Sequence, residues 1–170
     1  MSVYKNDDPD YLKIALESIY DKQTRKPDEI VVVFDGPLNA PLYSVLEEFQ
    51  NGRENVVKYY PQSVNQGLGQ ALRIGAQMCT GDYIFRMDSD DISDSKRFKK
   101  QIAFVEANPE IDALGCDIAE FNNDPFNEEM RVRVCPARHD DIVKMAQKRN
   151  PMNHVTACIK RSALEKCGMH

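Results

Sequence analysis

Apolar residues along this chain change their spacing repeatedly, from consecutive runs to repeats of three and four and back again. That alternation predicts strands and helices following one another around a largely parallel sheet, the α/β class. After a short apolar start at Val3-Tyr4, Asp8-Pro9 supplies an N-cap and the residue type best tolerated at the first helical position. Leu12, Ala15, Leu16 and Ile19 then mark one helix face. The run Ile30-Val31-Val32-Val33-Phe34 reads as a strand buried on both sides, and Asp35-Gly36-Pro37 ends it. Leu42, Val45, Leu46 and Phe49 return to helical spacing and stop at Asn51-Gly52, ahead of a strand over Val56–Tyr60.

A third unit follows. Leu68, Ala71, Leu72, Gly75, Ala76 and Cys79 form a small-residue helix face suited to lying close on a sheet, with Gly81 as its expected end. Tyr83–Met87 reads as a strand running straight into Asp88-Ser89-Asp90-Asp91. Beyond it the pattern predicts a helix carrying Phe98, Ile102 and Val105 and a short strand at Ala113–Cys116. The stretch over residues 118–135 is irregular, with a turn at Asn122–Pro125 and an alternating strand at Met130–Val134. A helix over 139–148, a strand at Val155–Ile159 and a final helix capped by Ser162 complete the prediction. No repeat or low-complexity segment interrupts it.

At 170 residues the chain suits one domain large enough to bury a core without metals or disulfides. No apolar run approaches the ~20 residues of a membrane span. A formal charge of -5 argues against a protein that tracks nucleic-acid backbone. Its five cysteines are scattered, without a CxxC pair, and read as reduced, mostly buried thiols. With no signal-peptide pattern after Met1, the expected location is the cytoplasm, including the inner face of a membrane.

In open α/β sheets, ligands bind beyond the carboxyl ends of the strands. Tyr4, Asp35 and Asp88-Ser89-Asp90-Asp91 all follow predicted strands. Three carboxylates within four residues repel one another unless solvent, donors or a cation compensate them. Mg2+ or Mn2+ takes one or two protein carboxylates and fills its remaining positions with water and phosphate oxygens, which suits Asp88 and Asp90. The plainer alternative is an acidic loop that caps the helix from Asp94. Asp35 reads either as a turn aspartate bonding its own backbone or as a nucleobase contact. Gly67, in Asn65-Gln66-Gly67, marks a helix entry that also lets a flat base approach the backbone. Arg73 is either a solvated charge or a partner for these carboxylates, and His154 reads as a structural histidine.

Four segments in register carry a resemblance: Val3-Tyr4-Lys5-Asn6, Pro27–Ile30 leading to Phe34-Asp35-Gly36, Asn65-Gln66-Gly67 with Ala71-Leu72-Arg73, and Gly81–Ile84 leading to Asp88-Ser89-Asp90-Asp91. Together they resemble the family-two glycosyltransferases over about residues 2–110. The resemblance implies a GT-A-like, Rossmann-type three-layer sandwich with a mostly parallel central sheet. It implies binding of a nucleoside-diphosphate sugar, UDP-sugar favoured, and inverting transfer to a saccharide or lipid-linked acceptor in polysaccharide or glycoconjugate synthesis. By position, Tyr4, Asp35 and Gly67 would line the base, with Arg73 nearby, Asp88 the ribose, Asp90 the metal and diphosphate, and Asp91 the donor sugar. Asp88 joins Asp90 as a metal candidate.

Two departures stand out. The apolar stretch expected before Val3 is nearly absent, and no acidic motif fit to deprotonate an acceptor appears before His170. Residues 1–170 are therefore expected to form one incomplete nucleotide-sugar-binding domain, inactive in transfer alone, with its base beyond His170. Two other classes compete. Asp91-Ser93-Ser95 matches a strand-end DxSxS metal site of an adhesion-type binding module, and a nucleotidyltransferase shares the architecture, although Lys5-Asn6-Asp7-Asp8 is no glycine-rich phosphate loop.

Overall fold

A computed structural model describes residues 1–121 and 130–168. The expected turn at Asn122–Pro125 lies outside the described residues. Strand β1 (Ser2–Val3) leads into α1 (Pro9–Ile19), β2 (Ile30–Phe34), α2 (Ala40–Gln50), β3 (Val57–Pro61) and α3 (Leu68–Met78). β1, β2 and β3 form a parallel sheet in that order, with Ser2 opposite Val33 and Ile30 opposite Val57. The five residues of β2 are all buried because the strand is central and covered on both faces. Ile30, Val32 and Phe34 enter a core with Leu12, Leu16, Leu42 and Leu46 from α1 and α2, whereas Val31 and Val33 meet Ala71 of α3. Strand alternation thus divides one apolar run between two helical layers.

Local chemistry explains the helix starts. The Asp8 side chain accepts from the N–H groups of Asp10 and Tyr11, and Pro9 fills the first turn. Asn39 caps α2 in the same way through Leu42 N–H. The small-residue face of α3 also behaves as expected, since a Cβ on Gly75 would stand 3.4 Å from Val33 Cγ2. α3 ends at Met78 rather than Gly81, and the Thr80 N–H that follows donates to Glu29 at 2.8 Å.

The second half departs more from expectation. β4 (Tyr83–Phe85) stops two residues short of Met87 and does not join the parallel sheet. It pairs antiparallel with β8 (Cys158–Lys160), which also pairs with β5 (Ala113–Leu114). Between them run α4 (Arg97–Ala107), β6 (Ile118–Glu120), β7 (Arg131–Arg133) and α5 (His139–Ala146); β7 falls within the alternating strand expected at Met130–Val134 and pairs antiparallel with β6, which was not expected. The strand expected at Val155–Ile159 begins instead as a 3-10 turn over His154–Thr156. There the Thr156 hydroxyl donates to Asn153 O at 2.7 Å, and tight local bonding of this kind competes with extended backbone. Ser162 does not cap α6 (Arg161–Lys166), whose N-cap position is Lys160 without a side-chain bond.

The cysteines are all free, but only Cys158 is buried; Cys79 and Cys135 are half-buried, and Cys116 and Cys167 are exposed. The expectation of mostly buried thiols is therefore corrected. No helix among the described residues is long and apolar enough to cross a membrane.

Candidate functional site

The carboxyl ends of β1, β2 and β4 carry the candidate residues, and hydrogen bonds tie their loops together. Asp35 is 4% exposed, and its two oxygens accept from Gln66 N–H at 2.7 Å and Gly67 N–H at 3.0 Å. It therefore organises the entry to α3 rather than bonding its own turn. Asn65 closes the same loop, its side-chain amide donating to Asp35 O. Gly36 lets the two segments touch: its φ is +87°, and a Cβ there would lie 2.7 Å from Asn65 N. Gly67 has φ +88° with open space where a Cβ would be, leaving an uncovered backbone face at the helix start.

Asp7, which no pattern in the sequence singles out, joins β1 to the acidic loop. Its Oδ2 accepts from Tyr4 N–H at 3.1 Å and from the Ser89 hydroxyl at 2.8 Å. Because Asp35 N–H donates to Val3 O at 2.8 Å, a short path runs from Asp35 through Val3, Tyr4 and Asp7 to the loop carrying Asp88 and Asp90. The sequence placed these residues at strand ends; tertiary bonding puts them on one rim.

The acidic loop is anchored on both sides. Before it, Arg97 is buried and donates to Arg86 O at 3.0 Å and to Gln101 Oε1 at 3.0 Å, while Gln101 donates to Thr156 O. After it, buried Gln23 donates to the Ser93 hydroxyl and to Asp94 O, and Ser93 N–H donates to Ser18. Between these anchors, Asp88 pairs with Arg86, Asp90 is exposed and Asp91 is half-buried. Burial raises the pKa of Asp91, with Asp90 and Asp88 adding to the effect and Arg86 and His154 opposing it. The negative charges are thus only partly compensated, and a divalent cation would relieve them. Among the described residues no group of three or more His, Cys, Asp or Glu forms a ready-made cage. That donor set fits Mg2+ or Mn2+ held by one or two carboxylates and completed by ligand oxygens.

Three other candidates are placed less centrally. Tyr4 is half-buried at the exit of β1. Arg73 is exposed on α3 and makes no ion pair with Asp35 or the acidic loop. His154 is exposed beside Asp91, held between buried Asn153 and Thr156. Ser93 is buried and engaged by Gln23, so Asp91-Ser93-Ser95 presents no open adhesion-type metal site.

The sequence pattern of glycosyl transferase family 2 matches residues 1–168. The chain belongs to this family. An uncharacterized glycosyltransferase of Haemophilus influenzae is 42% identical over 168 residues, which are 99% of this chain and 61% of that protein. The UDP-Gal:alpha-D-GlcNAc-diphosphoundecaprenol beta-1,3-galactosyltransferase of Escherichia coli is 33% identical over 168 residues, 99% of this chain and 59% of that protein. The chain therefore spans about three fifths of the length of these family 2 relatives. Among solved structures, S. aureus TarS 1-349 in complex with UDP-GlcNAc superposes with a TM-score of 0.73 at 20% identity, covering 98% of this chain and 46% of that one. Mannosyltransferase PcManGT from Pyrobaculum calidifontis, in complex with GDP-Man and Mn2+, gives a TM-score of 0.67 at 16% identity, covering 98% and 45%. These two likenesses show that the family 2 chain has the GT-A fold.

Proposed function

We propose that the rim joining Tyr4, Asp35, Gly67 and Asp88–Asp91 binds a nucleoside-diphosphate sugar, with a UDP-sugar as donor. The observation that carries this is Asp7, which holds the exit of β1 and the acidic loop on one carboxylate oxygen. One ligand then reaches the open backbone at Gly67 with its base and the acidic loop with its pyrophosphate. The nucleotide sugars named for the two solved structures, and the UDP-Gal named for the E. coli relative, support that choice.

In this reading Asp90, with Asp88, holds Mn2+ or Mg2+. When bound, the cation offsets the charge that develops on the departing nucleoside diphosphate. The protein's own groups do the rest. Arg86 pairs with Asp88, and in this proposal Tyr4 and Gly67 line the base, Asp91 contacts the donor sugar and Arg73, exposed on α3, contacts the nucleotide. The full-length protein would transfer the sugar with inversion to a saccharide or lipid-linked acceptor, in polysaccharide or glycoconjugate synthesis at the inner face of the membrane. Residues 1–170 serve as one donor-binding domain in this proposal, with the acceptor's general base supplied by other parts of the protein.

A thermal-shift series tests it: UDP-sugar, GDP-sugar, nucleoside triphosphate and no ligand, each with and without Mn2+. The expected result is stabilisation by a nucleoside-diphosphate sugar only when metal is present, abolished in Asp90→Ala. Metal binding indifferent to nucleotide would refute it.

A further inference from the structure

β4 and β8 run antiparallel, with Tyr83 opposite Lys160 and Phe85 opposite Cys158. In such a pair the end of one strand lies beside the start of the other, so the turn that enters β8 flanks the acidic loop that leaves β4. Arg86 N–H extends the contact by donating to Ala157 O at 2.9 Å. Counted on in the same register, Met87 comes level with Thr156 and Ser89 with His154. The chain ahead of β8 does not stay extended that far. It closes instead into the 3-10 turn over His154–Thr156, with Ala157 N–H donating to His154 O at 3.2 Å.

Buried polar bonds fix this turn against its surroundings on three sides. Arg97 and Gln101 fasten it to the entry of the acidic loop: Arg97 Nη2 donates to Arg86 O and its Nε to Gln101, while Gln101 Nε2 donates to Thr156 O at 2.9 Å. The Thr156 hydroxyl accepts from Cys116 N–H at 3.0 Å, and Asn153 Nδ2 donates to Cys116 O at 3.3 Å, which ties the turn to the chain leaving β5. Val155 packs on the core cluster that holds Met87 and Phe98. From Pro151 to Arg161 only His154 is exposed. A connected network of buried bonds rigidifies the backbone that carries it, and here the one side chain it presents to solvent is an imidazole beside the acidic loop.

His154 lies close enough to Asp91 for its charge to act on that carboxyl. Asp88 has Arg86 as its partner and Asp90 is open to a cation, whereas half-buried Asp91 has no ion-pair partner among the described residues. A carboxylate that accepts and an imidazole N–H that donates, side by side, suit a hydroxyl group, which does both. They suit a phosphate poorly, because its oxygens would face the Asp91 carboxylate away from the cation assigned to Asp88 and Asp90. We propose that His154 and Asp91 bracket a hydroxyl of the sugar carried by the donor, so that the turn ahead of β8 reads the sugar and not the nucleotide. This role rests on the donor-binding proposal and adds to it a binding residue from the second half of the chain. It also accounts for a histidine left exposed where every neighbour is at least half-buried.

Titration calorimetry tests the role on the parent, His154→Ala and His154→Gln, with UDP, UDP-Glc, UDP-Gal and UDP-GlcNAc, each in Mn2+. His154→Ala is expected to weaken the best-bound UDP-sugar about tenfold while UDP stays within about twofold, and His154→Gln, which keeps an N–H donor, should recover part of the loss. Both variants should melt with the parent when unliganded, because the side chain is exposed. Equal weakening of UDP and UDP-sugar would overturn the role, since His154 would then serve the nucleotide or only the turn. Unchanged affinities in His154→Ala would overturn it as well, while leaving the donor-binding proposal standing. A parent that binds no UDP-sugar in Mn2+ would instead sink the donor-binding proposal, and this role with it.

Discussion

Asp35 and Gly67, 32 residues apart, are joined by a 3.0 Å hydrogen bond from the glycine N–H to a carboxylate that solvent barely reaches. The second oxygen of Asp35 takes Gln66 N–H, so one side chain closes two backbone donors at the entry to α3. Asp35→Asn would turn an NH2 toward one of those donors. The expected cost is about 1–3 kcal/mol of unfolding free energy, measured by urea titration, because a buried N–H loses its acceptor.

The two glycines of this junction are expected to respond differently to alanine. At Gly67 only the positive φ resists a side chain, so Gly67→Ala should cost about 1–2 kcal/mol. At Gly36 the new Cβ would also lie 2.7 Å from Asn65 N, so the loop must separate. Thermal unfolding should rank Gly36→Ala clearly below Gly67→Ala, and equal losses would show that the loops do not depend on this contact.

Asp88 and Asp90 should separate stability from ligand binding. Asp88→Ala removes the ion-pair partner of a largely enclosed Arg86 whose Nε and Nη2 already lack acceptors among the described residues, at an expected cost of about 2 kcal/mol. Asp90 is exposed, so Asp90→Ala should leave unfolding within about 0.5 kcal/mol of the parent while losing the Mn2+-dependent nucleotide response. Guanidinium unfolding beside the thermal-shift series distinguishes the two.

Glu29 provides a pH signature. Burial pushes its pKa up, but bonds from Lys58 and Thr80 outweigh that, and the net pKa lies below the ordinary 4.5. A depressed carboxyl pKa stabilises the fold above the unfolded value, and the contribution fades as pH falls through the folded one. Glu29→Gln should therefore unfold more easily than the parent at pH 7, by about 1 kcal/mol. That gap should narrow as the pH drops below 4.5. A gap independent of pH would mean the carboxylate's charge contributes nothing.

Thiol reactivity should follow burial. Cys158 is buried between β4 and β5, and burial pushes its thiol up to about 12. Alkylation of the native chain at pH 8 should label Cys116 and Cys167 first, and Cys158 only after unfolding, as read by mass spectrometry. Early labelling of Cys158 would contradict its placement in the sheet.

The apolar spacing by itself determined α1, β2, α2, β3 and α3, because each buries a stripe or a run whose period is local, and Asp8-Pro9 set the start of α1 through neighbours two and three residues away. It also marked Tyr4, Asp35 and Asp88–Asp91 as residues following strands and Gly67 as a helix entry. Tertiary structure decided what these residues touch. Asp35 bonds a loop some thirty residues away, and Asp7 meets Ser89 across 82 positions, relations that no local pattern encodes. Past the acidic loop the elements are short and their pairing is set by partners, so β4 joined β8 instead of the parallel sheet and the expected strand at Val155 became a 3-10 turn. A two- or three-residue strand has too little periodicity of its own to declare a face; its edge bonds, formed only on folding, choose its neighbour.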